Sequence, residues 1–203
     1  MRSALRLLFI GLILSLSACV TPPEKPAYPT IDSAQQQQIT QYRRSRLEPV
    51  DVWNIKGRIA IQYAKDGFSA GLRWRQEQDT FNISLTDPLG RVAARLEGND
   101  QQVMLSAQGE TYSADSPDQL MQKQLGWALP LDSLYHWSKG IPDPNHPLRA
   151  VGYDNFGRPV SLLQDGWQVY FKQYPDNDVL SQPKHVSIER PTFKAKLVIS
   201  SRD

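Results

Sequence analysis

The amino-acid sequence predicts a mainly β protein in which one curved antiparallel sheet is covered by helices. The first observation is that many segments alternate apolar and polar residues, which is the pattern of a strand with one buried face and one wet face. The second is that Gly, Asp, Asn and Pro separate these segments at short intervals, as in "AKDGF", "EGNDQ" and "LLQDGW", which favours antiparallel hairpins. The third is that two segments within this region carry helical signals instead.

The chain begins with the three regions of a secretory signal. Arg2 and Arg6 come first, an apolar run from Leu7 to Leu16 follows, and small residues lead up to Cys19. The apolar run is shorter than the roughly 20 residues that span a bilayer. Residues 1–18 are therefore predicted to be a signal peptide that is cleaved on export.

Cys19 is the single cysteine of the chain and follows Leu16, Ser17 and Ala18. These four residues resemble the lipobox of bacterial lipoproteins, which implies a lipidated Cys19 as the first residue after cleavage. Lipidation explains an unpaired thiol in an exported protein; an incidental cysteine near a signal is the alternative. Two or more acyl chains form a firm membrane anchor. Val20 stands where many proteobacterial lipoproteins of the inner membrane have aspartate, so the resemblance implies the periplasmic face of the outer membrane.

Residues 19–31 are predicted to be a lipidated, proline-rich tether. The stretch "VTPPEKPAYPT" has four prolines in eleven residues and should extend at about 3.1 Å per residue, with a reach of roughly 30 Å. Residues 32–203 remain as one domain, a size that suits a single core. Removal of Arg2 and Arg6 reduces the 23 basic residues to 21, against 21 acidic residues, so the charge does not indicate a nucleic-acid partner.

A first helix is predicted between Asp32, which can cap its start, and Pro49, which should stop it. Its apolar stripe is thin, and the run of glutamines is interpreted as a solvated face. The stripe consists of Ala34, Ile39, Tyr42 and Leu47.

From Trp53 onward the hydrophobic period is two. Strands are predicted in "WNIKGRIAIQY", "SAGLRWRQ", "FNISLT", "RVAARLE", "QQVMLSA", "GWQVYFKQY", "KHVSIER" and "TFKAKLVIS". In the first of these, one face carries Trp53, Ile55, Ile59, Ile61 and Tyr63. The other face is polar, as expected for a sheet with one side in water.

Two helices are predicted to interrupt the strands. In "SPDQLMQKQLG", Ser116 is the cap, Pro117 the first helical residue and Gly126 the stop signal. The second helix lies in "LPLDSLYHWSKGIP" and has its apolar residues mainly on one side. These residues are Leu131, Leu134, Tyr135 and Trp137, and Gly140 ends the helix.

The combination of a large sheet and short helices leaves two possibilities for the interior. A curved sheet of many strands presents an apolar face that two or three helices can cover without filling, which would leave a cavity. A fully packed core is the alternative, and the periodicity alone favours it.

The stretch "TFNISLTDPLGRVAARLEG" places a leucine at the tip of a predicted turn. Asp87, Pro88, Leu89 and Gly90 match the preferences of positions i to i+3 of a type I turn. Pro88 and Gly90 restrict the backbone so that the leucine stays at the tip. A single exposed leucine is common and does not by itself indicate a function.

Several motifs together resemble the LolB family of outer-membrane lipoproteins. After the lipobox signal come "GRIAI", "LRW", "LTDPLG" before another strand, and "GWALPLDSLYHWSKGIP" before a β-rich end. The likeness runs in this order over nearly the whole mature chain. Its specific parts are "LTDPLG" and "LPLDSLYHWSKGIP".

The resemblance implies a half-barrel, similar in fold to the periplasmic carrier LolA, closed by helices over a hydrophobic cavity for acyl chains. It further implies that LolA hands an acylated lipoprotein to this protein, which inserts it into the outer membrane; we expect a monomer. The family's delivery loop, between the third and fourth strands, carries a leucine that falls on Leu89. The chain departs from the family at Asp87, where an uncharged residue is common, and a charge beside the tip raises the cost of entry into lipid.

Ten residues on apolar faces are candidates for contact with an acyl chain, and ordinary core packing is the alternative for each. They are Ile59, Ile61, Leu72, Trp74, Phe81, Ile83, Leu85, Leu96, Leu134 and Trp137. Trp137 is favoured because it lies in the most specific motif.

Known catalytic and cofactor patterns are not recognised in the sequence. We expect no nucleophile elbow of the Gly-x-Ser-x-Gly type. The sequence contains no His-Glu-x-x-His, no Gly-rich lysine loop for phosphate and no paired cysteines, and its three histidines are scattered. We therefore expect no enzyme, no metal site and no cofactor other than the lipid on Cys19. The alternatives are a scaffold lipoprotein of the outer membrane with a packed interior, and a lipid-modifying enzyme.

Overall fold

The computed structural model describes residues 32–203. The predicted signal peptide, Cys19 and the tether lie outside the described residues. Eleven strands form one antiparallel sheet. They are β1 Val52–Tyr63, β2 Asp66–Glu77, β3 Thr80–Thr86, β4 Val92–Gly98, β5 Val103–Ala107, β6 Glu110–Ala114, β7 Leu148–Tyr153, β8 Pro159–Gln164, β9 Trp167–Lys172, β10 His185–Arg190 and β11 Phe193–Arg202.

The strands lie in the order β6-β5-β4-β3-β2-β1-β11-β10-β9-β8-β7. At the centre the first strand pairs with the last, from Ile55 opposite Arg202 to Tyr63 opposite Phe193. The two edge strands, β6 and β7, are therefore consecutive in the chain, and the segment between them must cross from one edge to the other. That segment carries two helices, which lie over the concave face. The predicted fold class, a single curved antiparallel sheet with covering helices, is confirmed.

Three strands were not expected from the sequence: β6, β7 and β8. Strand β6 has no buried residue, and β7 buries only its last residue, Tyr153. Neither strand shows the clear alternation of a half-buried strand. Strand β8 begins at Pro159 and alternates only weakly. Edge strands and their neighbours bury less surface than central strands, so their sequences carry a weaker period-two signal.

Three helices accompany the sheet. They are α1 Ser33–Leu47, α2 Pro117–Leu125 and α3 Leu131–Ser138. Within residues 32–203, no helix has both the length and the hydropathy needed to cross a bilayer.

The predicted caps Asp32 and Ser116 begin α1 and α2, and the predicted Gly126 ends α2, whereas α1 and α3 end two residues before the predicted Pro49 and Gly140. Asp32 Oδ1 accepts the N–H of Gln35 at 2.8 Å, and Ser116 Oγ accepts the N–H of Gln119 at 3.3 Å. Each cap supplies an acceptor to an N–H group that has no partner within its helix. Gly126 then ends α2 with a φ of 76°, which a residue with a side chain rarely adopts.

The predicted apolar stripe of α1 is largely wrong. Ala34 and Tyr42 are exposed and Ile39 is half-buried, so Leu47 is the only one of the four that is buried. The other buried residue of this helix is Arg43, which is 1% exposed. A charged group therefore attaches α1 to the rest of the protein.

The guanidinium of Arg43 is surrounded by backbone carbonyl oxygens. Nη2 donates to the carbonyls of Lys139, Gly140 and Ser181, each at 3.2 Å, and Nη1 donates to Ser181 at 3.2 Å and to Val179. Lys139 and Gly140 follow the last residues of α3, where helix carbonyls lack partners and the helix dipole is negative. Burial lowers the pKa of Arg43, and these acceptors compensate the buried charge.

Replacing Arg43 by alanine is expected to lower the free energy of unfolding by about 2–4 kcal/mol, because buried carbonyl groups lose their donors. Arg46→Ala, on an exposed position of the same helix, should change it by less than about 0.5 kcal/mol. Urea-induced unfolding of both variants measures the difference. Equal effects of the two substitutions would contradict the assigned role of Arg43.

Candidate functional site

An apolar cavity of about 370 Å³ lies between the concave face of β1 to β5 and the segment that holds α2 and α3. We call the segment from the start of α2 to the end of α3, residues 117–138, the cover. It contributes Met121, Leu125, Trp127, Leu129, Leu131 and Leu134 to the walls of the cavity. Both walls are built mainly from aliphatic and aromatic side chains, and the polar residues of the lining are Ser69, Thr86 and Asp87. The cavity therefore offers an apolar ligand many contacts and few polar ones. The interior therefore contains a cavity beside a packed core, and the alternative of a fully packed core is wrong.

Eight of the ten candidate residues line this cavity. They are Ile59, Ile61, Leu72, Trp74, Ile83, Leu85, Leu96 and Leu134. The period-two pattern identified them because the cavity occupies the concave face, to which every second side chain of these strands points.

The structure places Phe81 and Trp137 elsewhere. Phe81 shares a strand face with Ile83 but lies at the start of β3, where it borders a groove with Asp79 and Asp100 at the other end of the sheet. Trp137 is fully buried beyond the end of the cavity. Its Nε1 donates to Gln164 Oε1 at 3.0 Å, so the indole attaches α3 to β8.

Most of the cover was not predicted from the sequence. The α2 segment was recognised only by its caps, although Met121 and Leu125 have the i, i+4 spacing of one helix face. Trp127 and Leu129 lie between the helices, where neither period applies. The ring of Trp127 lies 5.5 Å from that of Phe193 and 6.2 Å from that of Phe68, so this connection packs directly on the sheet.

The predicted turn lies at the mouth of the cavity. Asp87 and Pro88 border the cavity, while Leu89 points away and is 78% exposed. The N–H of Gly90 donates to the carbonyl of Asp87 at 2.9 Å, and Gly90 has a φ of 82°. The turn therefore joins β3 to β4 as expected and presents Leu89 to solvent.

Other exposed apolar side chains surround this mouth. Phe68 and Leu125 line the cavity and are also exposed, and Val92 follows the turn as the first residue of β4. Together with Leu89 they form what we call the mouth rim. Exposed apolar residues that are grouped in this way indicate a surface that meets an apolar partner or a membrane.

Asp87 is held by Arg91 and by the backbone of its own turn. Its Oδ1 accepts the N–H groups of Leu89 at 2.9 Å and Arg91 at 3.0 Å, and its Oδ2 accepts from Arg91 Nε at 2.8 Å. The hydrogen bond from the Arg91 backbone is the main cause that lowers the pKa of Asp87. The charge beside the tip is therefore paired with a neighbouring cation.

Helix α3 is attached to the sheet by a buried polar network centred on Gln164. Gln164 Oε1 accepts from Trp137 and, at 2.9 Å, from the N–H of Asp143, and its Nε2 donates to the carbonyls of Asp143 and His146, both at 2.8 Å. Ser133 Oγ donates to Asp143 Oδ2 at 2.6 Å. We call these five residues the α3 anchor. Every contact in it lies away from the cavity, so it fixes the helix without occupying the apolar space.

Two titratable groups of α3 and its C-terminus are shifted by burial. Burial lowers the pKa of Lys139 to about 8; its Nζ donates to the carbonyl of Val50 at 2.6 Å and lies 3.8 Å from the ring centre of Tyr135. Burial also lowers the pKa of His136 to about 4, against the attraction of Asp143. His136 is therefore neutral at pH 7.

The string "GFSAG" at residues 67–71 has the Gly-x-Ser-x-Gly spacing of a hydrolase nucleophile, and the structure shows that it is not one. Ser69 lies within β2, paired with Ala60 of β1, whereas a nucleophile elbow is a sharp turn from a strand into a helix. His136, His146 and His185 lie in α3, before β7 and in β10. None of them is on β2 or on the two strands beside it.

Comparison with known proteins agrees with this architecture. The sequence model of the family "Outer membrane lipoprotein LolB" matches residues 51–201. The Outer-membrane lipoprotein LolB of Nitrosococcus oceani is 35% identical over 196 residues, covering 96% of this chain and 94% of that protein. That of Pseudomonas syringae pv. syringae is 39% identical over 157 residues, covering 77% and 76%.

One solved structure shows a similar fold. A Vibrio parahaemolyticus domain described as an outer membrane lipoprotein-sorting protein superposes with a TM-score of 0.53 at 12% identity, covering 82% of this chain and 90% of that one. At this identity the likeness concerns the fold alone.

The open sheet, the covering helices and the apolar cavity define a half-barrel protein with a covered hydrophobic interior. The chain belongs to the LolB family of outer-membrane lipoproteins. This membership confirms the predicted family and the predicted location as a lipoprotein of the outer membrane. It also supports a receptor role in lipoprotein localisation.

Stability is expected to fall as the pH is lowered from about 6.5 to about 4, and His136→Gln should remove part of that slope. The pKa of folded His136, about 4, lies below the ordinary value of 6.5, so in this range the unfolded chain binds a proton that the folded chain does not. The loss amounts to about 3 kcal/mol at most. Unfolding of both proteins in urea across this range measures it; parallel pH curves would contradict the shifted pKa.

Proposed function

We propose that this protein receives acylated lipoproteins from the periplasmic carrier LolA and inserts them into the outer membrane, holding their acyl chains in the cavity under α2 and α3. The observation that carries this proposal is an apolar cavity whose mouth bears an exposed leucine. In this proposal Cys19 carries the protein's own lipid, residues 19–31 form its tether, and the body works as a monomer that binds and transfers without catalysing a reaction.

The walls suit a hydrocarbon chain. Each methylene that moves from water into an apolar environment contributes about 0.8 kcal/mol, and the lining of the cover is entirely aliphatic and aromatic. A volume of about 370 Å³ lies near the lower end of the roughly 300–1,000 Å³ of ligand sites. A cargo with more than one acyl chain therefore requires the cover to move.

We infer that the cover yields at α2 and not at α3. Helix α3 is fixed by the α3 anchor, and removing it would leave buried polar groups without partners. Helix α2 faces the core with Leu120 and Met121, and the connection to α3 packs through Trp127. Apolar contacts of this kind can be exchanged for contacts with an acyl chain at little cost. We expect α2 and this connection to shift while α3 stays.

Leu89 acts during delivery in this proposal. Moving one leucine side chain out of water is worth about 1.5–3 kcal/mol, which is too little to anchor a protein but enough to favour a brief contact with lipid. The mouth rim then lies next to the bilayer, and the acyl chains leave the cavity along an apolar path. Without a nucleotide to hydrolyse, each step must be downhill, so the cavity must bind acyl chains more tightly than the carrier does.

The alternative of a scaffold without a lipid site rested on a packed interior. The cavity disfavours it, and the position of Ser69 within a strand disfavours the hydrolytic form of the enzyme alternative. Lipid binding and transfer therefore remain the function that the geometry supports best.

Ala94→Phe is expected to weaken acyl-chain binding about tenfold or more. Ala94 lines the cavity between Leu85 and Ala107, and a ring that excludes two methylenes from the cavity costs the chain about 1.6 kcal/mol. Titration of the Cys19→Ala form with a fluorescent palmitoylated peptide measures the affinity. Ala60→Phe, on the exposed face of β1, is the matched control. Unchanged affinity of the Ala94 variant would show that acyl chains do not occupy this cavity.

Leu89→Glu is expected to bind cargo normally and to lose most of its delivery, because a carboxylate cannot enter lipid cheaply. The measurement is transfer of a labelled acylated lipoprotein from LolA to outer-membrane vesicles that carry the full-length lipidated variant. Phe156→Glu is the control, since Phe156 is half-exposed at the tip of the turn between β7 and β8 at the other end of the sheet. Normal delivery by the Leu89 variant would remove the turn from the mechanism.

A further inference from the structure

Two turns of this protein share one sequence pattern. Residues 87–91 read "DPLGR" and residues 154–158 read "DNFGR". In each, an aspartate precedes an apolar residue by two positions, and glycine and arginine follow. The first turn joins β3 to β4 at the cavity mouth, and the second joins β7 to β8 at the opposite end of the sheet.

The two turns also share one set of hydrogen bonds. Asp154 Oδ1 accepts the N–H groups of Phe156 at 2.9 Å and Arg158 at 3.0 Å, and its Oδ2 accepts from Arg158 Nε at 2.8 Å. These are the contacts and the distances that Asp87 makes with Leu89 and Arg91. In both turns the arginine carbonyl also accepts the aspartate N–H at 2.9 Å.

The surroundings of the two turns differ. The second turn is packed: a side chain at Gly157 would meet Val179 and Ile39 at 3.3 and 3.4 Å. The Arg158 side chain is only 10% exposed, and its guanidinium lies 4.7 Å from the ring centres of Phe156 and Tyr174. The mouth turn is not packed: a side chain at Gly90 would meet no atom within 4 Å, and the Arg91 side chain is 74% exposed. The same geometry forms with and without packing, so the five residues themselves determine it.

We propose that Asp87 and Arg91 are positioning residues that hold the mouth turn in one conformation, with Leu89 directed outward for delivery. This inference rests on the proposed role of Leu89. The Oδ1 bonds to two backbone N–H groups do most of the holding, because an exposed ion pair contributes little by itself. The hydrogen bond from the Arg91 backbone also lowers the pKa of Asp87, because it stabilises the ionised carboxylate.

Holding the turn matters because the Leu89 side chain is 78% exposed, so little packing fixes its position. A turn that samples several conformations presents the leucine only part of the time, and its apparent affinity for lipid falls by that fraction. The pairing of Asp87 with Arg91 also makes the turn neutral overall, which reduces the cost of bringing a carboxylate close to the bilayer.

Asp87→Ala in the full-length lipidated protein tests this inference. We expect trypsin to cleave after Arg91 about three to ten times faster, since the local structure opens more often. Delivery to outer-membrane vesicles, normalised to the cargo that each variant binds, should fall by roughly threefold or more, while Tm stays unchanged. Asp87→Asn keeps an oxygen acceptor for the two N–H groups and should retain delivery within about twofold.

Asp154→Ala is the matched control in the second turn. Because that turn is packed under α1, its loss should lower Tm and leave both the cleavage after Arg91 and the delivery by folded protein unchanged. If Leu89→Glu abolishes delivery while Asp87→Ala delivers normally, the positioning role is overturned and the proposed function stands. If Leu89→Glu itself delivers normally, both are overturned.

Discussion

The covered cavity depends on how the end of α3 is held. A short helix that roofs an unfilled space gains little from packing on that side, so other contacts must fix it. Trp137 and Asp143 share the amide of Gln164 on β8, and Arg43 donates to the carbonyls that follow the helix. All these polar contacts lie outside the cavity. The walls can therefore stay apolar and partly empty while the helix remains in a defined place.

The sequence predicted the parts of the fold that depend on local chemistry. The period of two located eight strands, and Ser116 with Gly126 located α2, because alternation and capping act over a few residues. The burial of Arg43 was not predicted, since its acceptors lie 96 to 138 residues away along the chain. No local pattern distinguishes a buried arginine that receives such partners from one that stays in water. The two edge strands, β6 and β7, lacked a pattern for a different reason, because they bury too little.

In the candidate site too, the residues that depend on local chemistry were predictable and those that depend on distant partners were not. Strand residues such as Ile59 and Leu85 could be assigned to the concave face from alternation alone, and the turn around Leu89 from the residues that build it. Trp137 could not be assigned in this way. A specific motif indicates that its apolar residue is constrained, but it does not distinguish contact with an acyl chain from ordinary packing. Trp137 is constrained by its hydrogen bond to Gln164, which lies 27 residues later in the chain. The specific segment "LPLDSLYHWSKGIP" thus serves two purposes: Leu129, Leu131 and Leu134 line the cavity, and Ser133 and Trp137 attach the cover.

The pairing of the first strand with the last has a consequence for the order in which the sheet can be completed. Because Ile55 lies opposite Arg202, the centre of the sheet closes a loop of nearly the whole described chain, and closing so long a loop is slow. Without β11, the strands β1 to β6 and β7 to β10 are two separate groups with no strand to connect them. The two sides of the half-barrel are therefore joined only when the last of the described strands is in place.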